Sequence, residues 1–175
     1  MRIRPALPED IPALARVHVG TWQVAYRGII PDQQLDGLSI PESEEMWSEH
    51  VRRPGRTNLV VEAEARVVGF VAFGPTRSRD LDPATIGEIY GIYLEPSVWR
   101  MGYGRALMAE ALRQLAEQGF AEVMLWTWEI NGRARVFYER LGFVSDAALV
   151  SDRFGPALTE LRYRRALANA RPLPR

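Results

Sequence analysis

The sequence predicts an α/β domain built on a mixed sheet flanked by helices, and three stretches carry that expectation. Residues 86–115 read as a strand, a glycine-containing turn and an amphipathic helix. Residues 58–73 read as an antiparallel hairpin with a turn near Ala65. Glu122 to Trp128, EVMLWTW, is apolar on both faces, as a strand covered on each side must be. A chain of 175 residues is long enough for one sizeable core and short for two. A single domain over 1–167 is therefore expected, followed by a tail over 168–175 that carries two prolines.

Taken in order, Arg2 to Ala6 reads as a short strand and Pro8-Glu9-Asp10 as the opening of a helix. Its apolar positions Ile11, Leu14, Ala15 and Val19 follow helical spacing, and the acidic first turn suits the helix dipole. From Gly20 to Gly37 the pattern loosens while Trp22, Tyr26, Gly28 and Pro31 crowd together, so an irregular segment is expected. Its two aromatics either seal the core at a bend or line a pocket. Pro41 to Val51 reads as a helix with Met46 and Trp47 on its apolar side, ended by Pro54-Gly55. The strands Asn58 to Glu64 and Arg66 to Phe73 follow, and then a polar stretch, Thr76 to Ala84, expected as an exposed loop with a solvated charge run.

The next strand, Ile86 to Leu94, leaves through Pro96 and turns at Gly102 and Gly104 into a helix with Leu107, Ala111, Leu112 and Leu115 on one face. Glycines at such a turn let successive N–H groups point at an anion, which makes a phosphate cradle out of main chain. A Walker loop is excluded because no Gly-Lys-Ser/Thr occurs in the chain. A dinucleotide fingerprint fits poorly: Leu107 stands where a third small residue belongs, and the six residues from Pro96 to Met101 intervene between the strand and the first glycine. Glu129 lies at a suitable distance for a ribose contact, so that rival stays open. Gly119 is placed to end the helix, Asn131 to cap the next one and Gly142 to stop it. Phe143-Val144 opens a further strand, and Leu158 to Arg164 is the last, paired antiparallel.

Acidic and basic residues balance at 22 each, which removes any global field for nucleic acid or an anionic membrane. Cysteine is absent, excluding disulfides, thiolate ligands and a cysteine nucleophile. His18 and His50 stand apart from any carboxylate cluster, so no metal site is expected. The charged start MRIRPALPED and the lack of a long apolar run make a cytoplasmic location the expectation, with no membrane partner.

The stretch Trp99-Arg100-Met101-Gly102-Tyr103-Gly104, continued by Arg105-Ala106-Leu107, resembles the acetyl-CoA signature of the GCN5-related N-acetyltransferases (GNAT family). That signature is Gln or Arg, two residues, Gly, one residue, then Gly or Ala. Trp99 departs from it. A second block, Asn131 to Phe143, is similar to the family's later helix, and the two blocks stand in the expected order about 30 residues apart. The resemblance implies a central, mostly antiparallel mixed sheet with a splayed central strand pair, acetyl-CoA as cofactor and acetyl transfer to an amine. With no cysteine to carry the acyl group, the transfer is expected to be direct.

On that resemblance, backbone groups of Ile92, Tyr93 and Leu94 would hold the pantetheine arm and supply the oxyanion donor. The turn Arg100, Met101, Gly102, Tyr103, Gly104 and Arg105 would hold the diphosphate, and Asn131 would reach the cofactor. Tyr138 would protonate the leaving thiolate, and Glu88 would take the proton of the amine, directly or through water, with Tyr90, Tyr93 and Glu129 as alternatives. Trp22, Tyr26 and Glu88 would face the acceptor, a small-molecule or peptide amine, and a homodimer is implied. Other roles remain open on the residues alone: Glu88 as a structural ion-pair partner, Tyr138 as a packed aromatic, and the whole chain as a non-catalytic CoA- or peptide-binding module.

Overall fold

The computed structural model describes residues 1–151 and 157–167, so the expected tail over 168–175 lies outside the described residues. Seven strands form one sheet in the order β1-β2-β3-β4-β5-β7-β6: β1 Arg2–Pro5, β2 Thr57–Ala63, β3 Arg66–Pro75, β4 Ile86–Leu94, β5 Glu122–Trp128, β6 Val144–Ser151 and β7 Leu158–Ala166. The helices are α1 Ile11–Ala25, α2 Asp32–Asp36, α3 Ile40–Arg52, α4 Tyr103–Glu117 and α5 Gly132–Arg140. The chain resolves into two compact units, one of residues 1–73 with 91–111 and one of residues 74–90 with the described residues from 112 onward.

In the first unit β1 pairs antiparallel with β2, and β2 with β3. The β2–β3 turn uses Glu64 and Ala65 at φ 51° and 60°, so two residues with side chains occupy the left-handed region that a tight hairpin demands. The core holds Leu14, Leu35, Trp47, Leu59, Phe70, Val71 and Phe73, with Leu107 and Met108 from the start of α4. Asp10 is buried yet satisfied: it takes two bonds from Arg4, at 2.6 and 2.9 Å, and one from the amide of Leu7 at 2.8 Å. The Arg4 guanidinium holds the Asp10 carboxyl below the usual carboxylate range.

The helix expected to loosen at Gly20 continues to Ala25, and a short α2 follows. Burial of Leu14, Val17, Val19 and Thr21 along one side outweighs the weak helix propensity of a single glycine. The expected 41–51 helix runs from Ile40 to Arg52 and is capped by Ser39, whose hydroxyl accepts from the amide of Glu42 at 3.4 Å.

In the second unit β4 and β5 run parallel with three aligned positions, Ile86↔Glu122, Gly87↔Val123 and Glu88↔Met124. The ladder ends there although both strands continue. β5 pairs antiparallel with β7, which pairs antiparallel with β6. Both helix ends in this unit close with the same motif. After α4, Phe120 N–H donates to Leu115 C=O at 3.2 Å and Gly119 N–H to Ala116 C=O at 3.0 Å, with Gly119 at φ 94°. After α5, Phe143 N–H donates to Tyr138 C=O at 3.1 Å and Gly142 N–H to Glu139 C=O at 3.0 Å, with Gly142 at φ 83°. Each time the phenylalanine that follows the glycine is buried. No helix among the described residues is long and apolar enough to cross a membrane.

Gly69 on β3 marks a close approach within the first unit. A Cβ there would lie 2.9 Å from the Tyr93 carbonyl oxygen and 2.9 Å from Leu94 Cγ, and the backbone oxygen cannot give way cheaply. Gly69→Ala is therefore expected to destabilise the fold by about 1–3 kcal/mol, read as a lowered urea midpoint at unchanged m-value.

Candidate functional site

The residues singled out from the sequence fall into both units, and each group has its own local cause. In the first unit the end of β4 is pinned through a single oxygen. The Leu94 carbonyl accepts from Thr21 Oγ1 of α1 at 2.9 Å and from the indole Nε1 of Trp99 at 2.8 Å. Glu95 N–H in turn donates to Val68 C=O at 2.9 Å. Trp99, the residue departing from the signature, thus ties the turn to the strand it leaves. Beyond a 3-10 turn over Pro96–Val98, Arg100 takes φ 65° and Gly102 φ 90°. The Gly102 carbonyl accepts the first helical bond from Ala106 at 3.0 Å. The amides of Tyr103, Gly104 and Arg105 then open α4, where helix geometry supplies no acceptor within the helix.

That turn is open on its main-chain side. Arg100, Met101 and Gly102 are exposed, and a Cβ on Gly102 would meet nothing within 4 Å, so the main chain is open to an incoming group. Two residues at positive φ beside a helix start concentrate N–H groups on one concavity.

Ile92, Tyr93 and Leu94 lie on the last turnless stretch of β4, half-buried. The Tyr93 ring joins an aromatic cluster rather than opening outward: it stands 4.9 Å from His18 and 5.2 Å from Phe70 between ring centroids. Trp47 packs edge-on against Phe70 at 4.7 Å and His18 at 5.7 Å. Trp22 adjoins both His18 at 5.6 Å and Tyr26 at 5.0 Å. Trp22 and Tyr26 are therefore a half-buried aromatic pair at the end of α1, where a bend had been expected.

His18, which sequence reasoning considered only as a metal ligand, sits at the centre of this cluster, 3.1 Å from the Ser43 hydroxyl through Nδ1. Burial, with a further contribution from His50, pushes its pKa down to about 4.

In the second unit Glu88 is 3% exposed in the middle of β4. Its carboxylate is held by Arg77, whose backbone N–H donates to Oε2 at 2.7 Å while Nε and Nη2 donate to Oε1 at 3.2 and 2.5 Å. The Arg77 guanidinium also lies over the Tyr90 ring at 4.4 Å, and the Tyr90 hydroxyl donates to the Pro75 carbonyl at 2.7 Å. The charge run expected to be a solvated face is thus partly spent inward: besides Arg77, Asp80 pairs with Arg162 at 2.5 Å, and Ser78 Oγ meets Trp126 Nε1 at 3.4 Å. A charged side chain in a strand this apolar needs a partner, and that requirement overrides the loop's polarity.

Tyr138 lies on α5, 8% exposed, its ring 6.0 Å from Phe143 and 6.3 Å from Tyr163. Asn131 caps the same helix, its Oδ1 accepting from the amide of Ala134 at 3.2 Å. The cap leaves Asn131 Nδ2 as a donor for other use. Glu129 is exposed at the end of β5. Tyr163, not singled out from the sequence, is buried against α5: its hydroxyl donates to Glu139 at 2.8 Å and accepts from Arg135 Nε at 3.2 Å.

A family model described as the acetyltransferase (GNAT) family matches residues 22–143. The chain is 36% identical over 137 residues to the uncharacterised N-acetyltransferase YuaI of Bacillus subtilis, covering 78% of this chain and 76% of that protein. Among solved structures, the paia N-acetyltransferase of Thermoplasma acidophilum in complex with coenzyme A aligns with TM-score 0.74 at 23% identity, over 94% of this chain and 98% of that one. The protein yncA of Salmonella typhimurium, solved with its cofactor acetyl-CoA, aligns with TM-score 0.76 at 21% identity, over all of this chain and 98% of that one.

The half-buried imidazole makes acid stability measurable at one residue. Unfolded His18 binds a proton near 6.5 and the folded residue near 4, so between those values the unfolded chain holds more protons. The contribution of neutral His18 is complete above pH 6.5 and falls as the pH drops toward 4, reaching a loss of roughly 3 kcal/mol. Thermal unfolding between pH 7 and 4.5 should show a smaller drop in Tm for His18→Phe than for the parent.

Proposed function

The chain belongs to the GNAT acetyltransferase family, and on that premise we propose that it transfers the acetyl group of acetyl-CoA directly to a primary amine. The observation that carries this reading is the opening of α4, where Arg100 and Gly102 at positive φ present main-chain donors from an exposed turn within the matched segment. Acetyl-CoA supplies an activated thioester, whose carbonyl carbon the amine nitrogen attacks as the C–N bond forms and the C–S bond breaks.

Each residue has a defined task in that proposal. The amides of Arg100 and of Gly102 to Arg105 hold the diphosphate, the Met101 amide being bonded to the Val98 carbonyl at 3.4 Å, and backbone groups of Ile92 and Leu94 hold the pantetheine arm. The amide N–H of Leu94 or Tyr93 serves as the donor that stabilises the developing oxyanion. Asn131 Nδ2 contacts the cofactor while Oδ1 caps α5. An amine near pKa 10.4 is mostly protonated at neutral pH, so Glu88 accepts its proton, directly or through water. Tyr138 gives its hydroxyl proton to the departing thiolate. A phenol of ordinary pKa about 10 can protonate a thiolate whose acid lies near 8.5 when the two are held together. Trp22 and Tyr26 shape the acceptor's surroundings. The homodimer and cytoplasmic location implied by the family belong to the same proposal.

One observation favours a second reading. Both oxygens of Glu88 are engaged by Arg77, as in a purely structural ion pair, which is what a CoA- or peptide-binding module without turnover would retain. Thiol release from acetyl-CoA in the presence of a panel of amines separates the two. Stabilisation by CoA with no thiol released for any amine would establish the module.

Tyr138→Phe is expected to lower kcat by about 10²-fold, the usual scale of one positioned acid, while acetyl-CoA affinity measured by calorimetry stays within twofold. An unchanged kcat removes Tyr138 from the acid role. Gly104→Asp tests the cradle separately. A carboxylate in the first turn of α4 favours the helix itself but opposes a diphosphate at the same amides, so CoA affinity should fall by roughly tenfold or more, at 1.4 kcal/mol per decade, with Tm unchanged or raised.

A further inference from the structure

We propose that Arg77 is a positioning residue for acetyl transfer, locking the Glu88 carboxylate so that Oε2 is the oxygen that takes the proton of the acceptor amine. The inference rests on the reading of Glu88 as the base and adds the residue through which that base is held.

The three bonds to Glu88 come from one residue and divide its two oxygens unequally. The guanidinium takes Oε1, through Nε at 3.2 Å and Nη2 at 2.5 Å, while Oε2 accepts the Arg77 main-chain N–H at 2.7 Å. A carboxylate oxygen has about two lone pairs, so Oε2 keeps one for a proton. Oε1, bonded to the positive group, is the poorer acceptor. Held at both oxygens, the carboxylate does not turn about its last torsion. That torsion is otherwise broad and roughly two-fold, whereas a base must stand within about 2.6–3.2 Å of the atom whose proton it takes. Fixing it before the acceptor arrives removes part of the orientation cost from the chemical step.

The residue that does the locking is itself held. Tyr90 lies two residues after Glu88 and therefore on the same face of β4. The Arg77 guanidinium stacks over its ring at 4.4 Å, and the Tyr90 hydroxyl donates to the Pro75 carbonyl at 2.7 Å. On either side of Arg77 the loop is tied down. Thr76 N–H donates to Ile86 C=O at 2.9 Å, Ser78 N–H to Thr76 Oγ1 at 3.2 Å, and Ser78 Oγ meets Trp126 Nε1 at 3.4 Å. The Arg77 side chain is 59% exposed against 4% for Glu88. A guanidinium that exposed would be mobile in an ordinary surface pair; here stacking and loop bonds keep it in place. In the step itself the amine N–H bond breaks with its electron pair kept on nitrogen. The proton passes to Oε2, directly or through one water, and is lost to solvent once the product leaves.

Any substitution except proline keeps the main-chain bond to Oε2, so side-chain variants test the guanidinium alone. Thiol release from acetyl-CoA with a panel of primary amines is measured for the parent, Arg77→Ala, Glu88→Gln and the double variant, with the CoA-induced rise in Tm as the check of folding. Arg77→Ala should lower kcat by roughly tenfold or more, a part of what one positioned base supplies, while the KM for acetyl-CoA stays within about twofold. In the Glu88→Gln background the same substitution should change kcat by less than about twofold, as for two groups acting as a unit. Methylguanidinium, which can stack on the vacated Tyr90 face, should restore part of the rate to Arg77→Ala and none to the double variant. If Arg77→Ala shows no rise in Tm with CoA, Arg77→Lys, which keeps a cation but loses the fork, takes its place in the cycle. An unchanged kcat in the Arg77 variant, or an equal loss in both backgrounds, overturns the positioning role and leaves acetyl transfer standing. Thiol release by the parent with no amine overturns acetyl transfer and this role together.

Discussion

A carboxylate buried in the middle of a strand dictates what surrounds it. Glu88 lies in a run of buried residues on β4, where an ionised group without partners would cost several kcal/mol. The chain meets that demand with the residue that follows the β3 exit: Thr76 N–H bonds the Ile86 carbonyl, and Arg77 closes on Glu88 with both backbone and side chain. Once Arg77 is fixed, the rest of the loop has little freedom. Ser78 falls beside Trp126 and Asp80 beside Arg162, so the loop is fastened to β5 and β7 in turn. A segment rich in charge and carrying a proline is thereby tied to the strands beneath it.

The first unit solves a different problem, that of ending a strand without fraying it. The Leu94 carbonyl, the last of β4, is claimed by a helix hydroxyl and an indole, and Arg16 and Arg66 both converge on the next residue, Glu95. The turn into α4 leaves a rigid point. Its positive-φ residues then need only a few bonds of their own, because both the strand before them and the helix after them are held elsewhere.

Much of this was legible in the sequence, and the exceptions are instructive. The Ile86–Leu94 strand, the glycine turn into α4 and the stops at Gly119 and Gly142 all follow from local chemistry: periodicity, a positive-φ requirement and a capping side chain. The continuation of α1 past Gly20 did not, because it rests on tertiary burial and on contacts such as that of Thr21 with the Leu94 carbonyl, a partner 73 residues away. Arg77 was hidden for a related reason. A lone glutamate in an apolar strand signals that some basic residue must meet it, but with 22 arginines in the chain nothing local says which. Tyr163 and His18 were hidden because their roles arise from packing, one against α5 and the other within the aromatic cluster. Side-chain roles set by distant partners leave no periodic trace.

The indole at position 99 bears on how this chain can be engineered. A consensus approach would replace Trp99 with the glutamine or arginine usual in the signature and anticipate a gain. Here that side chain has become a joint, spanning from the turn back to the Leu94 carbonyl at 2.8 Å. Conforming to the relatives at this position would remove a hydrogen bond and the packing of a large ring from the junction between strand and helix. On this scaffold the residue usual in the signature would have to restore both contacts.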